Sequence, residues 1–369
     1  MVYRIIKKAI LRIEYSISNR FYSKYSDEKL NKNFIVNLKK KSFHDTPTQF
    51  LPTLFKNHFS KSNQEYLNHE YIVHFNLKTK IDPQFGWVMV GNFQIVMHSI
   101  PYAEEIGMMF PSVFRKIYLL KKPKYIPIAI SLQYRWDNYW HFFNDILCQL
   151  NLFDKYGIAR EVPIIAPKKA LEFKYFKSLL ETNKYLKSRN WIFLDRFDHI
   201  EVGEIYFGKN YSNLRENLDD VVNRLFGALK FRSNTKRIFL KRGEGRSRRL
   251  KNSTEIEEIV RLAGFQIIDC DLISIQEQIF IFSQAKVICG LHGAGLTNLI
   301  FCKPNECLVF EIFTASWIGP HYYWLSMQYG FKYTAICGEE QSSDKSFYLN
   351  PSIFQLQLNK FIELNSFII

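Results

Sequence analysis

Residues 287–311, VICGLHGAGLTNLIFCKPNECLVFE, constrain the fold more than any other stretch of the chain. The apolar, β-branched start at residues 287–289 reads as a buried strand, and Gly290, Gly293 and Gly295 interrupt it at once. A short helix holding Leu296, Thr297 and Asn298 follows, and then a second buried strand that ends on Glu311. Glycines in such a turn permit positive φ and let a ligand approach the main chain, while the helix start offers unpaired N–H groups to an anion. A turn whose glycines serve only packing has the same spacing. His292 in the turn and Glu311 after it favour a functional reading, because both are expected at the carboxyl ends of strands, where open α/β sheets bind ligands.

The rest of the chain supports that architecture. Short apolar runs at 71–75, 87–90 and 93–97 predict a β-rich N-terminal part. From residue 126 the pattern alternates: strands at 126–131, 162–166 and 191–194, with helices at 138–156 and 171–187 between them. A helix within 213–229 joins this half to a second alternating series. There, strands are expected at 237–240 and 265–270 and helices at 255–263 and 275–285, the last capped by Ser274. Alternation of this kind predicts parallel sheets with helices on their faces.

Fifty basic residues against thirty-five acidic ones give a net charge of +15, which draws the molecule toward polyanions, anionic membrane or phosphate-bearing ligands without choosing among them. The six cysteines show no paired metal-type spacing and read as reduced thiols of a cytoplasmic protein. No apolar run approaches the roughly 20 residues that span a bilayer. Residues 2–13, VYRIIKKAILRI, form a basic amphipathic pattern that suits either an anionic membrane surface or the protein's own core.

Two further constellations can carry chemistry. In NYWHFFND, His141 and Asp145 stand four apart and share a helix face, as a base with its partner or as a satisfied cap. The loop KRGEGRSRRLKNS places Lys241, Arg242, Arg246, Arg248, Arg249 and Lys251 after a strand, where arginines can grip a diphosphate; a solvated basic loop is the plain alternative. There is no Gly-x-Ser-x-Gly elbow and no Walker loop. Asp269 and Asp271 form an Asp-x-Asp, but the basic loop could itself neutralise a diphosphate, so no essential metal is expected.

Taken in order, YWHFFND, KRGEGRSRRLKN, SIQEQIFIFSQAKVICGLHGAGLTNLIF and the strand reaching Glu311 resemble glycosyltransferase family 61 over about residues 134–311. The resemblance implies a GT-B-like α/β architecture, two Rossmann-like domains facing across a cleft, and inverting sugar transfer from a nucleotide-sugar donor without an essential metal or other cofactor. Carried onto this sequence, it implies donor binding by Arg242, Arg249, His292, Gly293, Ala294, Gly295, Asn298 and Glu311, and it matches His141 and Asp145 to the helix of the first domain. Arg246 and Arg248 leave the choice of arginine open. Asp145 is taken as the base with His141 as its partner, or the reverse.

The expected division is 1–40 as a basic segment, 41–225 as an acceptor-side domain and 226–369 as the nucleotide-sugar domain. The expected acceptor is a glycan or lipid-linked oligosaccharide of microbial surface polysaccharide synthesis, with the enzyme cytoplasmic and peripheral at the membrane. A nucleic-acid or polyanion binder, or a catalytically silent glycan-binding relative, stands as the alternative.

Overall fold

The computed structural model describes residues 70–100, 119–210 and 213–365, apart from 84–85, 133–135, 233, 244–246 and 341–344, together with scattered residues between 13 and 59. The amphipathic pattern at 2–12 and Arg246 lie outside the described residues. The chain divides into two compact units, one of residues 1–40 and 69–212 and the other of 41–68 and 213–369. Both are α/β, and the N-terminal part is β-rich.

In the first unit, strands β1 (Ser23–Lys24), β2 (Phe34–Asn37), β3 (Tyr71–Phe75), β4 (Thr79–Ile81), β5 (Val88–Val90) and β6 (Gln94–Ile95) precede the alternating part. That part runs β7 (Lys124–Ser131), helix α1 (Tyr139–His141, Phe142–Leu147 and Cys148–Lys155), β8 (Ile164–Pro167), α2 (Lys174–Thr182), α3 (Lys184–Lys187), β9 (Trp191–Leu194) and β10 (Ile200–Lys209). Strands β10, β7, β8 and β9 are parallel neighbours, as the alternation predicts. Strands β3 and β4 add to β10 antiparallel, which makes the sheet mixed rather than wholly parallel. The single helix expected over 171–187 is split because the Asn183 side chain accepts from the N–H groups of Tyr185 and Leu186 and so starts a new helix.

The second unit runs α4 (Arg215–Phe226), β11 (Lys236–Leu240), α5 (Ser253–Leu262), β12 (Phe265–Ile268), α6 (Ile275–Phe282), β13 (Ala285–Leu291), a 3-10 helix (Ala294–Phe301), β14 (Leu308–Thr314), α7 (His321–Gln328), β15 (Lys332–Glu340), β16 (Phe347–Tyr348) and α8 (Pro351–Asn365). Ser274 caps α6 as expected, and Glu277 completes the box by reaching back to Ser274. The sheet order is β12-β11-β13-β14-β15-β16, parallel up to β15. In this doubly wound order the connections leave the first strand in opposite directions, so a crevice opens at the carboxyl ends of β11 and β13.

Register then fixes which side chains meet. Leu240 pairs with Gly290, and Glu311 pairs with Gly290 on one side and Ala335 on the other. Glu311 therefore lies inside β14, not at its end as expected, because the apolar run continues through Ile312 and Phe313 to Thr314. The glycines also act differently from expectation. None of Gly290, Gly293 and Gly295 lies in the left-handed region, and Gly293, with φ of 169°, is extended. Gly290 is needed for close approach: a Cβ there would lie 2.7 Å from Leu240 Cβ, an atom close to the neighbouring strand's backbone that cannot swing away.

Gly290→Ala should therefore destabilise the protein by about 1–3 kcal/mol through overpacking between β11 and β13. Urea denaturation of the variant beside the wild type measures this, and an unchanged midpoint would contradict the packing.

Candidate functional site

The two loops that open at the β11–β13 crevice are tied to each other. Arg242, just past β11, donates from Nη1 to the carbonyl oxygen of His292, just past β13, at 2.6 Å. A Cβ on Gly293 would stand 2.8 Å from that Nη1, so the glycine makes room for the guanidinium. The His292 N–H is spent on Ile312 O, whereas the first N–H groups of the 3-10 helix at Ala294 and Gly295 precede its first internal bonds. Gly293, Ala294 and Gly295 are all part-exposed.

His292 is buried at 6% exposure and enclosed by aromatic rings: Phe313 stacks at 4.8 Å, and Trp317 and Tyr322 lie at 4.4 and 5.4 Å. Its Nδ1 is 2.5 Å from Glu311 Oε1. Glu311 is 0% exposed, and its other oxygen accepts from the Tyr333 hydroxyl. Tyr333 is a diagonal neighbour of Glu311 across the β14–β15 pair, since Glu311 pairs with Ala335 two residues on. Burial pushes the Glu311 carboxyl well above the usual carboxylate range, with the Tyr333 hydroxyl opposing. Burial also holds His292 well below its ordinary value, and the cations of Arg248 and Arg242 add to this.

Arg248 lies with its guanidinium 4.5 Å above the Trp317 ring, and burial lowers its pKa. Its backbone has φ of +58°, a conformation that costs a non-glycine residue about 1–2 kcal/mol and is concentrated at functional sites. Arg248, His292, Thr314 and Trp317 border one small depression, with Leu291, Ile312 and Phe347 forming its apolar part. Arg249 is exposed and contributes its carbonyl oxygen to Phe347 N–H.

Two residues expected at the donor are placed otherwise. Asn298 is fully buried and bonds Gln278 Oε1 at 2.7 Å and Gly295 O at 3.1 Å, so it braces the turn against α6 rather than facing a ligand. Glu311 has both oxygens bonded inside the protein, one to the Tyr333 hydroxyl and the other to His292, which borders the depression. Among the described residues, no group of three or more His, Cys, Asp or Glu is placed to hold a metal ion. Asp269 and Asp271 instead form a local turn in which Asp271 N–H donates to Asp269 Oδ1 at 3.0 Å.

Sequence reasoning overlooked Trp317, Tyr322 and Tyr333. The first two could have been found, because SWIGPHYYW follows β14 and must open on the same sheet edge as the basic loop. Tyr333 had no local signal, since its partner is set by strand register.

In the first unit, His141 Nδ1 and Asp145 Oδ2 are 2.5 Å apart, and Asn144 Nδ2 donates to Asp145 Oδ1 at 2.8 Å. The helix carrying them, α1, consists of Tyr139–His141, a π-helical segment Phe142–Leu147 and Cys148–Lys155. π segments that interrupt α-helices are frequent at functional sites. The Asn138 side chain caps the helix by accepting from Trp140 and His141 N–H, and Asn210 Nδ2 holds the Asn144 carbonyl at 2.7 Å. Asp145 is buried, while the His141 side chain is 21% exposed. The pair thus presents its imidazole outward and keeps its carboxylate behind.

Residues 139–309 match the family Glycosyltransferase 61. Over 63 residues the chain is 35% identical to a β-1,2-xylosyltransferase of Arabidopsis thaliana, a match covering 17% of this chain and 12% of that relative's length. Among solved structures it aligns with E. coli heptosyltransferase WaaC with ADP at 8% identity and a TM-score of 0.31, over 65% of this chain and 98% of that one. At that score the likeness carries no weight for fold or function. The motifs at His141, Arg242 and His292 all lie within residues 139–309, the stretch that matches glycosyltransferase family 61.

Proposed function

We propose that the protein is a glycosyltransferase that moves a sugar from a nucleotide-sugar donor to a hydroxyl of a glycan acceptor. The observation that carries this reading is the crevice at β11 and β13, where Arg242, Arg248, His292 and the turn's main-chain N–H groups gather donors suited to a diphosphate. In this reading the second unit takes the nucleotide sugar, and the His141–Asp145 pair of the first supplies the base. The geometry favours His141 as proton acceptor with Asp145 orienting it, since Asp145 is buried and accepts from both His141 and Asn144.

Transfer with inversion is a single displacement. The acceptor hydroxyl oxygen bonds to the anomeric carbon as the bond to the diphosphate oxygen breaks; the hydroxyl proton passes to His141, and the leaving charge falls on the arginine side. Metal independence belongs to the same proposal: the guanidinium groups take the part a divalent cation would otherwise play. The xylosyltransferase relative makes a pentose donor the first to try, ahead of hexoses. The net charge of +15 and the basic pattern at 2–13 support contact with an anionic membrane surface, and a role in microbial surface polysaccharide synthesis is proposed with it. Among the described residues no helix is long and apolar enough to cross a membrane.

A thermal-shift screen against UDP, GDP, CMP and their sugar conjugates, with and without EDTA, tests the donor half. Binding at a hundredfold excess over the dissociation constant stabilises by about 2.7 kcal/mol. One nucleotide class should raise the melting temperature regardless of EDTA, and Arg248→Ala should reduce the shift more than Arg249→Ala. Steeply salt-dependent binding to any polyanion, without nucleotide preference, would overturn the reading.

His141→Ala should abolish transfer while leaving the donor's thermal shift in place, which separates the base from donor binding. Asn298→Ala should cost about 1–3 kcal/mol of stability, because the buried Gln278 Oε1 loses its Asn298 donor, without changing which nucleotide binds. Denaturation and the same screen read both effects; a changed donor preference would return Asn298 to the ligand.

A further inference from the structure

Tyr333, Glu311 and His292 form an unbroken buried chain, and the question it poses is where the proton between Glu311 and His292 resides. The Glu311 carboxyl is 0% exposed and touches one hydroxyl donor, Tyr333, and one ring nitrogen, His292 Nδ1. The cations near it serve other groups: Arg242 bonds the His292 carbonyl oxygen and Arg248 sits on Trp317. Among the described residues, His292 is the sole basic side chain within ion-pair distance of Glu311. An ionised carboxylate there would be a desolvated charge with one neutral hydroxyl donor and an imidazole that burial, and after it the guanidinium groups of Arg248 and Arg242, keep from becoming cationic. A carboxylic acid needs no such compensation, because its own O–H donates to Nδ1 while its carbonyl oxygen accepts from Tyr333.

We propose that Glu311 is held as the neutral acid and donates its proton to His292 Nδ1, so that the imidazole carries its proton on Nε2 and offers Nε2–H to an anionic oxygen of the bound ligand. Glu311 and Tyr333 are then positioning residues, and His292 is a donor that adds to the guanidinium groups at the depression bordered by Arg248, Thr314 and Trp317. Ionised Glu311 would give the opposite tautomer, with Nδ1 protonated and the Nε2 lone pair facing any phosphate oxygen, which repels it.

The surrounding groups agree with this assignment. Arg242 and Arg248 oppose an imidazolium from the loop after β11. From α7, Tyr322 is pushed up by burial and stays neutral, and the His321 ring lies 6.5 Å away. From β15, burial pushes Tyr333 well up, so it remains a hydroxyl donor. The ligand class, a phosphate oxygen of a nucleoside diphosphate, rests on the donor reading above; the proton placement does not.

Nitrogen-15 NMR of the full-length protein with labelled histidine tests the placement without any ligand. The His292 ring, assigned by its loss in His292→Gln, should show the neutral tautomer protonated at Nε2 across about pH 6 to 8. A ring protonated at Nδ1, or an imidazolium at pH 7, would overturn the proposal. Glu311→Gln gives a second arm: its amide N–H can replace the acid proton on Nδ1 while its carbonyl accepts from Tyr333. That variant should keep the Nε2–H tautomer and bind UDP or the responding nucleotide within about threefold of wild type, whereas Glu311→Ala should weaken binding about tenfold. A switch to Nδ1–H in Glu311→Gln would also overturn it. If the wild-type tautomer is as stated but no nucleotide binds, the donor reading fails and the proton placement stands.

Discussion

The bond from Arg242 to the His292 carbonyl is the interaction on which the organisation of the second unit's crevice depends. A charge-assisted bond of this type is worth about 1.5–3 kcal/mol, and here it joins the loops leaving two adjacent parallel strands. It also aims the guanidinium. A side chain at position 293 would meet that group, and since the far end of an arginine moves easily, the consequence would be a displaced cation more than a destabilised fold. The glycine's value is therefore in placing charge. Gly290, two strand pairings from the bond, is constrained instead by the rigid flank of Leu240.

Each unit contains a histidine and a carboxylate 2.5 Å apart, yet their surroundings differ. Asp145 receives an amide N–H from Asn144, a donor that stabilises a carboxylate, and His141 remains part-exposed. This is the pair to which the proposed function gives the acceptor's proton. Glu311 receives a tyrosine hydroxyl in full burial, and His292 faces two guanidinium groups that oppose a positive ring. That environment suits an imidazole that stays neutral and donates. The two pairs share a contact distance but differ in burial and in the donors around the carboxylate, and on that difference the proposal separates a base from an anion-side donor.

What the sequence discloses follows from how local each determinant is. Helix and strand alternation, the Ser274 cap and the four-residue spacing of His141 and Asp145 are properties of contiguous residues, and the structure reproduces them. The antiparallel addition of β3 and β4 to β10 depends on pairing over more than a hundred positions, which periodicity does not encode. The same holds within the site. Glu311 was legible as a notable carboxylate, but its role turns on Tyr333, which only the β14–β15 register brings beside it. Arg248 and Arg249 are equivalent as letters; a backbone φ of +58° at Arg248 and a ring 4.5 Å below its guanidinium distinguish them.

The charge of the basic loop can be weighed in the same terms. A loop that serves as a polyanion patch gains from cations displayed to solvent, and Lys241, Arg249 and Lys251 are exposed in that way. Arg242 and Arg248 are not: one is turned onto a main-chain carbonyl and the other onto an aromatic face, both partly withdrawn from water. Desolvating a guanidinium is unfavourable, as the lowered pKa of Arg248 reflects, and a diffuse patch would gain nothing by it. The cost is offset when a compact anion with oxygens at fixed positions enters and is held in surroundings of low dielectric, where each contact is stronger than at the surface. The withdrawal of these two residues, more than the number of cations in the loop, is what the proposal of a phosphate-binding crevice, as against a solvated basic face, rests on.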